Sequence, residues 1–368
     1  MKILKDEGIF AFICSNKFAN VKYGEKLREL ILNNEMKIYY DFSGIKVFKE
    51  ATVDTCVIQI KKSFNKKNEI FVNNDYYLLQ NRLSKEVWSF NNPIILDLKE
   101  KILNKSKLLE NFNITIKRGF TTGFNKAYII NKETHNNLIK SDIKNKEIIK
   151  PILKGTDIEK FKITFNDTYI IIIKHGYGKT LKEDYPTIYE HLIQFETNLK
   201  SRGQVKNGQH HWLDLDNAVT QEFLNYFNQE IIIWQRVCKE PNFALNVDNY
   251  HILDSMAFLT TDDTDFLYFL LAILNSNLIK WYLKLIGHKY GKTGFLVSNQ
   301  YVKKLPIPII TSKEKQELIN LSKKIIKYSK ETSDNKTSLN SLYTELNSKI
   351  YEIYNLNNYE INLIKDSL

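Results

Sequence analysis

The stretch KRGFTTGFNKAYII, residues 117–130, gathers groups suited to binding phosphates and base edges. Lys117 and Arg118 bring positive charge, Thr121 and Thr122 bring hydroxyls, and Asn125 brings a carboxamide. An arginine forks onto phosphate or guanine, threonine hydroxyls and backbone amides bond phosphate oxygens, and an asparagine pairs bidentately with adenine. Glycines at 119 and 123 permit close approach of a backbone. A second reading stands beside this one: a tight turn packed on a sheet, with threonine hydroxyls capping backbone.

Other chemistry finds no complete set of residues. The histidines at 135, 175, 191, 210, 211, 251 and 288 make no HExxH-type spacing, so no metal ligands are assigned. Cys14, Cys56 and Cys238 form no CxxC pair, which points to buried thiols in a reducing compartment. The turns GYGK (176–179) and GKTG (291–294) fall short of a phosphate loop, and no GxSxG elbow occurs. No catalytic residue is assigned.

The elements that must carry the 117–130 turn are short. Phe112, Ile114 and Ile116 alternate before it and Ala127–Ile130 follow, predicting two strands joined by a glycine-bearing turn. The N-terminal stretch reads strand, helix, strand, loop, strand: 8–15, 22–34, 37–42 and 54–62. The unbroken apolar run GIFAFICS predicts a strand buried on both faces of a parallel sheet, as at the closing end of a doubly wound fold. Residues 63–110 read as a polar connecting segment, and 111–310 as a mixed α+β domain with a long helix near 265–286. The prolines of LPIP (305–308) end that domain. Residues 311–368 then read as a helical hairpin, for packing on the body or for dimerisation, with a last helix capped by Asn357 and Glu360.

Charge narrows the partners. The net charge is +11 and the isoelectric point near 9.1, which favours a polyanion. Lysine-rich, arginine-poor composition of AT-rich coding produces the same sum without any partner. Distribution speaks for a basic face: between Phe266 and Lys313 there are seven lysines and no acid, directly after the acidic DDTD of 262–265. The apolar run at 266–274 is too short to span a bilayer, so no membrane association is expected and the location expected is cytoplasmic.

Ordered motifs then resemble one family over nearly the whole chain. LKDEGIFAFICSNKF, YGEKLRELI and MKIYYDFSGIKVFKEATVDTCVIQIKK resemble the end of the catalytic domain in adenine-specific, type IIG-like DNA methyltransferases of restriction–modification systems. RGFTTGFNKAYII, IIKPILKGTDIEKF, YPTIYEHLIQFETNLKSRG, LLAILNSNLIKWYLK and KKLPIPII resemble a TaqI-like C-terminal specificity domain. The resemblance implies a catalytic-domain remnant at 1–62, a connection at 63–110, a target-recognition domain at 111–310 and helices at 311–368. It implies double-stranded DNA as a partner, contacted by Lys117, Arg118, Thr121, Thr122, Asn125, Lys154, Arg202, Arg236, Lys289 and Lys292. Since members of such a family read different sequences, the shared 117–130 turn is expected to position DNA rather than specify it.

Phe48, in KVFKEATV, reads on residues alone as core between a turn and a strand; by the resemblance it matches the family aromatic that stacks on an extruded adenine. The family's glycine-rich S-adenosylmethionine motif and its Asn-Pro-Pro-Tyr motif do not occur, NNPI at 91–94 being the nearest string. S-adenosylmethionine is therefore expected in the complete enzyme and not on this chain alone, and an N-terminal methyltransferase half is the expected second partner. The alternative is a stand-alone subunit resembling type I specificity proteins.

Overall fold

The computed structural model describes residues 3–48, 50, 53–88, 90, 92–217, 219–290, 294–330 and 336–368. The chain divides into two compact units, Met1–Lys101 and Ile102–Leu368.

The first unit is one mixed sheet with helices. Its strands are β1 (Ile9–Ser15), β2 (Glu35–Asp41), β3 (Thr55–Lys61), β4 (Glu69–Val72) and β5 (Tyr76–Leu79), ordered β1-β3-β2-β4-β5. β3 runs antiparallel between β1 and β2, so β1 and β2 point the same way. The expected burial of β1 on both faces is not what the structure shows. Among the described residues β1 is an edge strand paired only with β3, and Ile9, Phe10, Phe12 and Ile13 are exposed. Its apolar character therefore lacks a covering layer within the unit. The connecting reading of 63–110 also changes, because β4 and β5 form a hairpin that extends this sheet. Alternation within these two short strands buries Ile70, Val72 and Leu78. Cys14 and Cys56, distant in sequence, face each other across β1 and β3 with sulfurs 4.0 Å apart.

Arg28 holds the helix Glu25–Leu32 in place. Its guanidinium is buried and donates to the carbonyls of Phe18 (2.6 Å), Val21 (2.8 Å) and Lys85 (2.9 Å). Met36, Tyr39, Ile58 and Ile60 form the core beneath it.

The second unit is built on two four-stranded sheets. One orders β15 (Phe243–Asn246), β13 (Ile231–Gln235), β17 (Met256–Thr260) and β7 (Thr115–Arg118), all antiparallel. The other orders β16 (His251–Ile252), β9 (Ile149–Leu153), β12 (Thr168–Ile171) and β8 (Ile129–Asn131), with β16 and β9 parallel. Smaller ladders join β10 (Ile158–Glu159) to β11 (Lys162–Ile163), and β6 (Ser106–Leu108) to β20 (Pro306–Pro308). The last sheet orders β14 (Val237–Cys238), β19 (Gly294–Leu296) and β18 (His288–Tyr290).

The hairpin expected across 117–130 does not form. β7 and β8 lie in different sheets, and Asn125–Tyr128 is a helical turn. Tyr128 is buried there, with its hydroxyl donating to the Leu213 carbonyl at 3.0 Å. Tertiary burial overrides the local alternation.

The single long helix expected near 265–286 is two helices, Thr264–Leu274 and Asn277–Ile286, bent by 72°. The break has a cause. The Asn275 carboxamide clasps the Phe243 backbone, donating to its carbonyl at 2.9 Å and accepting from its amide at 3.1 Å. Ser276 Oγ then accepts from the Ile279 amide and caps the second helix. Both helices are core, and among the described residues no single helix is long and apolar enough to cross a membrane. The tail follows its pattern: Ser312–Lys330 packs on Lys336–Ile353, and Asn358–Asp366 starts with the Asn357–Glu360 capping box.

Candidate nucleic-acid interface

Of the expected DNA-binding residues, some are used internally, some gather at a sheet end, and Lys117, Lys289 and Lys292 belong to neither set. Arg202 belongs inside. Its five N–H groups donate to the carbonyls of Leu199 (3.0 Å), Thr122 (2.8 Å), Trp212 (2.7 Å) and Asp214 (2.9 Å), and to Asp216 Oδ1 (2.9 Å). A guanidinium has five donors, so none remains for a phosphate. Thr122 is buried and its hydroxyl donates to Asn125 Oδ1 at 2.5 Å, while Thr121 Oγ1 accepts from Asn217 Nδ2 at 2.8 Å. The threonine-rich part of the turn is thus bonded internally, to side chains rather than to backbone as the competing reading had it, although Asn125 stays exposed.

Its glycines serve the same purpose. Gly119 packs on backbone, where a Cβ would lie 2.2 Å from the Ile252 carbonyl oxygen. Gly123 has φ of +70° beside Asp216 and Arg202. The approach these glycines permit is to the protein itself.

Arg118, Lys154 and Arg236 converge on the segment His251–Ser255. Gly119 and Phe120 lie along it, with the Phe120 amide donating to the Ile252 carbonyl (2.8 Å) and the Asp254 amide to the Phe120 carbonyl (2.9 Å). Arg118 Nη2 reaches Asp254 Oδ2 at 3.3 Å, and Arg236 Nη1 donates to the Asp254 carbonyl at 3.0 Å. Lys154 follows Leu153, which pairs with Ile252, and its side chain is exposed. The next residue, Gly155, packs against Gln235, the neighbour of Arg236.

Two guanidiniums therefore meet at Asp254, with the exposed Lys154 following the strand paired to Ile252. Burial and the nearby Arg118 charge push Arg236 below its ordinary value, and its Nε is buried without a partner among the described residues. An incoming anion relieves such crowding of like charge. The Arg118–Asp254 pair is half-exposed, so it holds geometry rather than supplying much stability.

Lys117 does not join this group. Alternation along β7 sends it to the other face, where its ammonium lies 5.1 Å from the Tyr226 ring centre. Lys289 lies on β18, in the sheet that β14 joins directly after Arg236; its side chain and the whole of Lys292 are outside the described residues. The expected basic face at 266–313 is partly dispersed. Lys280 pairs with Glu240, and Lys284 donates to the Leu368 carbonyl at 2.7 Å. Lys303, Lys304 and Lys313 remain exposed. Asp254, the residue that organises the site, carried no sequence signal beyond the turn dipeptide Asp254-Ser255. Among the described residues, no group of three or more His, Cys, Asp or Glu could hold a metal ion.

Comparison with known proteins defines the class. Residues 150–307 match the TaqI-like C-terminal specificity domain, and residues 1–48 match the Eco57I restriction-modification methylase. The chain is a relative of restriction–modification methyltransferases, and its second unit contains a TaqI-like specificity domain. Type II methyltransferase M.BstVI of Geobacillus stearothermophilus is 22% identical, over 100% of this chain and 68% of its own. M.MjaIV of Methanocaldococcus jannaschii is 25% identical, over 56% of this chain and 69% of its own. The fold is similar to that of the Type IIL restriction-modification enzyme MmeI, solved in complex with DNA. The TM-score is 0.62 at 10% identity, covering 96% of this chain and 48% of that one. The chain thus spans about half the length of that enzyme.

Proposed function

We propose that this chain performs DNA target recognition within a restriction–modification system, as the recognition part of a site-specific adenine methyltransferase. The observation that carries this reading is the convergence of Arg118 and Arg236 on Asp254, inside and beside the region that matches the specificity domain. Phosphate contacts from such residues set register and orientation, and base readout is left to neighbouring side chains.

The first unit contributes the closing strands of a methyltransferase sheet. The exposed apolar side chains of β1 and its free edge support an N-terminal methyltransferase half as the covering partner, on the same polypeptide or a separate one. Phe48 is exposed in the loop between β2 and β3, which suits stacking on an extruded base. In the family a glycine-rich turn holds S-adenosylmethionine and an Asn-Pro-Pro-Tyr loop positions the adenine amino group, and neither motif is among these 368 residues. The donors present do not fit that cofactor, so methyl transfer belongs to the complete enzyme.

The test is titration of labelled duplex DNA at rising salt. Binding that weakens steeply with salt is expected. Undetectable binding at low salt overturns the reading. Incubated alone with duplex and S-adenosylmethionine, the chain is expected to transfer no methyl group, and turnover free of host enzymes refutes that part.

A further inference from the structure

A cavity of about 530 Å³ opens in the second unit, a size that suits a small organic ligand. Its floor is apolar, formed by Ile172, Ile173, Leu181 and Leu224. Lys174 and Tyr177 form one wall, where the chain enters the turn GYGK (176–179). The buried Asp214 carboxylate fixes that turn by accepting from the Gly176 amide at 2.9 Å and the Gly178 amide at 2.8 Å. Those amides are committed, so an anion entering here is met by side chains.

The side chains along the cavity leave bonding capacity unused. His251 is 7% exposed, and its ring is held by stacking on Phe227 at 4.7 Å. Its Nδ1 is buried and has no partner among the described residues. A buried polar atom left unpaired is rare and costly, and this one belongs to a residue that lines the cavity. Lys150 and Lys174 are half-buried, and among the described residues neither ammonium makes an ion pair. They donate to neutral acceptors instead, the Lys146 carbonyl at 3.1 Å and Gln221 Oε1 at 3.3 Å. The carboxylates of the lining, Glu147, Asp184 and Asp248, are all exposed, which places them at the mouth. Glu147 there accepts from the Tyr185 hydroxyl at 2.7 Å.

Two half-buried ammoniums without counter-ions select a doubly charged anion, and a phosphate monoester carries about −1.5 to −2 charges at pH 7. Acidic groups at the mouth repel a continuous phosphodiester strand and favour a ligand whose far end donates O–H. The apolar floor takes a ring. We propose that the cavity binds a free nucleoside monophosphate. Its phosphate meets Lys150 and Lys174, its base lies on the apolar floor with an edge bonded to His251 Nδ1, and its sugar hydroxyls donate to the carboxylates at the mouth. This inference concerns a small molecule and does not rest on the recognition function proposed above.

Isothermal titration calorimetry tests it on the full chain. At least one of the four ribonucleoside 5′-monophosphates should bind saturably. The matching nucleoside and inorganic phosphate should each bind at least tenfold more weakly. Lys150→Gln and Lys174→Gln should each weaken nucleotide binding at least tenfold. His251→Phe keeps the stack on Phe227 but lacks Nδ1, and should weaken binding severalfold. Because both lysines also bond within the protein, Asn228→Trp at the exposed rim serves as a further variant. It fills the mouth, leaves those bonds intact and should abolish binding. Excess duplex DNA should leave nucleotide binding unchanged. No binding of any nucleotide, equally tight binding of the nucleoside or of inorganic phosphate, indifference to these variants, or displacement by duplex overturns the proposal. DNA anisotropy in the same samples reports on the Arg118–Arg236 site independently, so failure here is distinguishable from failure of the recognition function.

Discussion

Gly119 lies on the backbone of Ile252 so closely that a Cβ there would meet the Ile252 carbonyl oxygen at 2.2 Å and the Leu253 carbonyl oxygen at 2.4 Å. This contact joins the strand that ends at Arg118 to the segment that presents Asp254. Gly119→Ala must therefore push the two apart, at a cost of about 1–3 kcal/mol for an overpacked site. Urea denaturation should register the loss of stability, and DNA affinity should fall with it because Arg118 moves. A variant as stable as the parent would mean that the segment yields freely.

Arg202 separates a structural arginine from those proposed to bind DNA. Arg202→Met leaves Asp216 and four carbonyls without their donor, and breaking a buried pair costs roughly 3–5 kcal/mol. Folded Arg202→Met should nevertheless keep the parent's salt dependence of DNA binding. A reduced salt slope would place this side chain on a phosphate.

Neutralising Arg118, Lys154 or Arg236 singly to Gln should lower the salt slope by about one unit each and weaken all sequences alike. Asp254→Asn should do the opposite, tightening binding by removing the carboxylate between Arg118 and Arg236. Anisotropy titrations at several salt concentrations measure both. A loss confined to one preferred sequence would make the residue concerned a base reader.

His251 gives the second unit a pH-dependent stability. The ring is buried, stacked on Phe227 at 4.7 Å, and burial with the nearby Lys150 charge lowers its pKa to about 4. An unfolded chain protonates this histidine near 6.5, whereas the folded one does so only near 4, so the unfolded state binds more protons between those values. Stability should therefore decline as pH falls from about 6.5 to 4, by roughly 3 kcal/mol from this residue. His251→Phe keeps the stack and should flatten the decline in denaturant midpoints measured across that range. An unchanged profile would remove His251 as its source.

Local signals carried much of the fold. The apolar runs of β1, β2 and β3, the paired tail helices and the Asn357–Glu360 box were all legible, because each depends on neighbours within a few residues. The break at Asn275 was not, since its cause is a clasp on Phe243, 32 positions away. The candidate interface was half legible. Arg118, Lys154 and Arg236 could be named from charge and resemblance, but Arg202 looked the same in sequence and is fully used inside. Only the three-dimensional course of His251–Ser255 distinguishes them, and no spacing in the sequence encodes it.

The unpaired edge of β1 also governs how this chain behaves in a tube. An edge strand whose outer N–H and C=O groups pair with no strand among the described residues, with Ile9, Phe10, Phe12 and Ile13 exposed, is a template for another copy of itself. Turbidity and self-association of the purified chain should accordingly rise with concentration. A charge placed on that edge, such as Phe12→Lys, should raise solubility while leaving the second unit's DNA affinity intact.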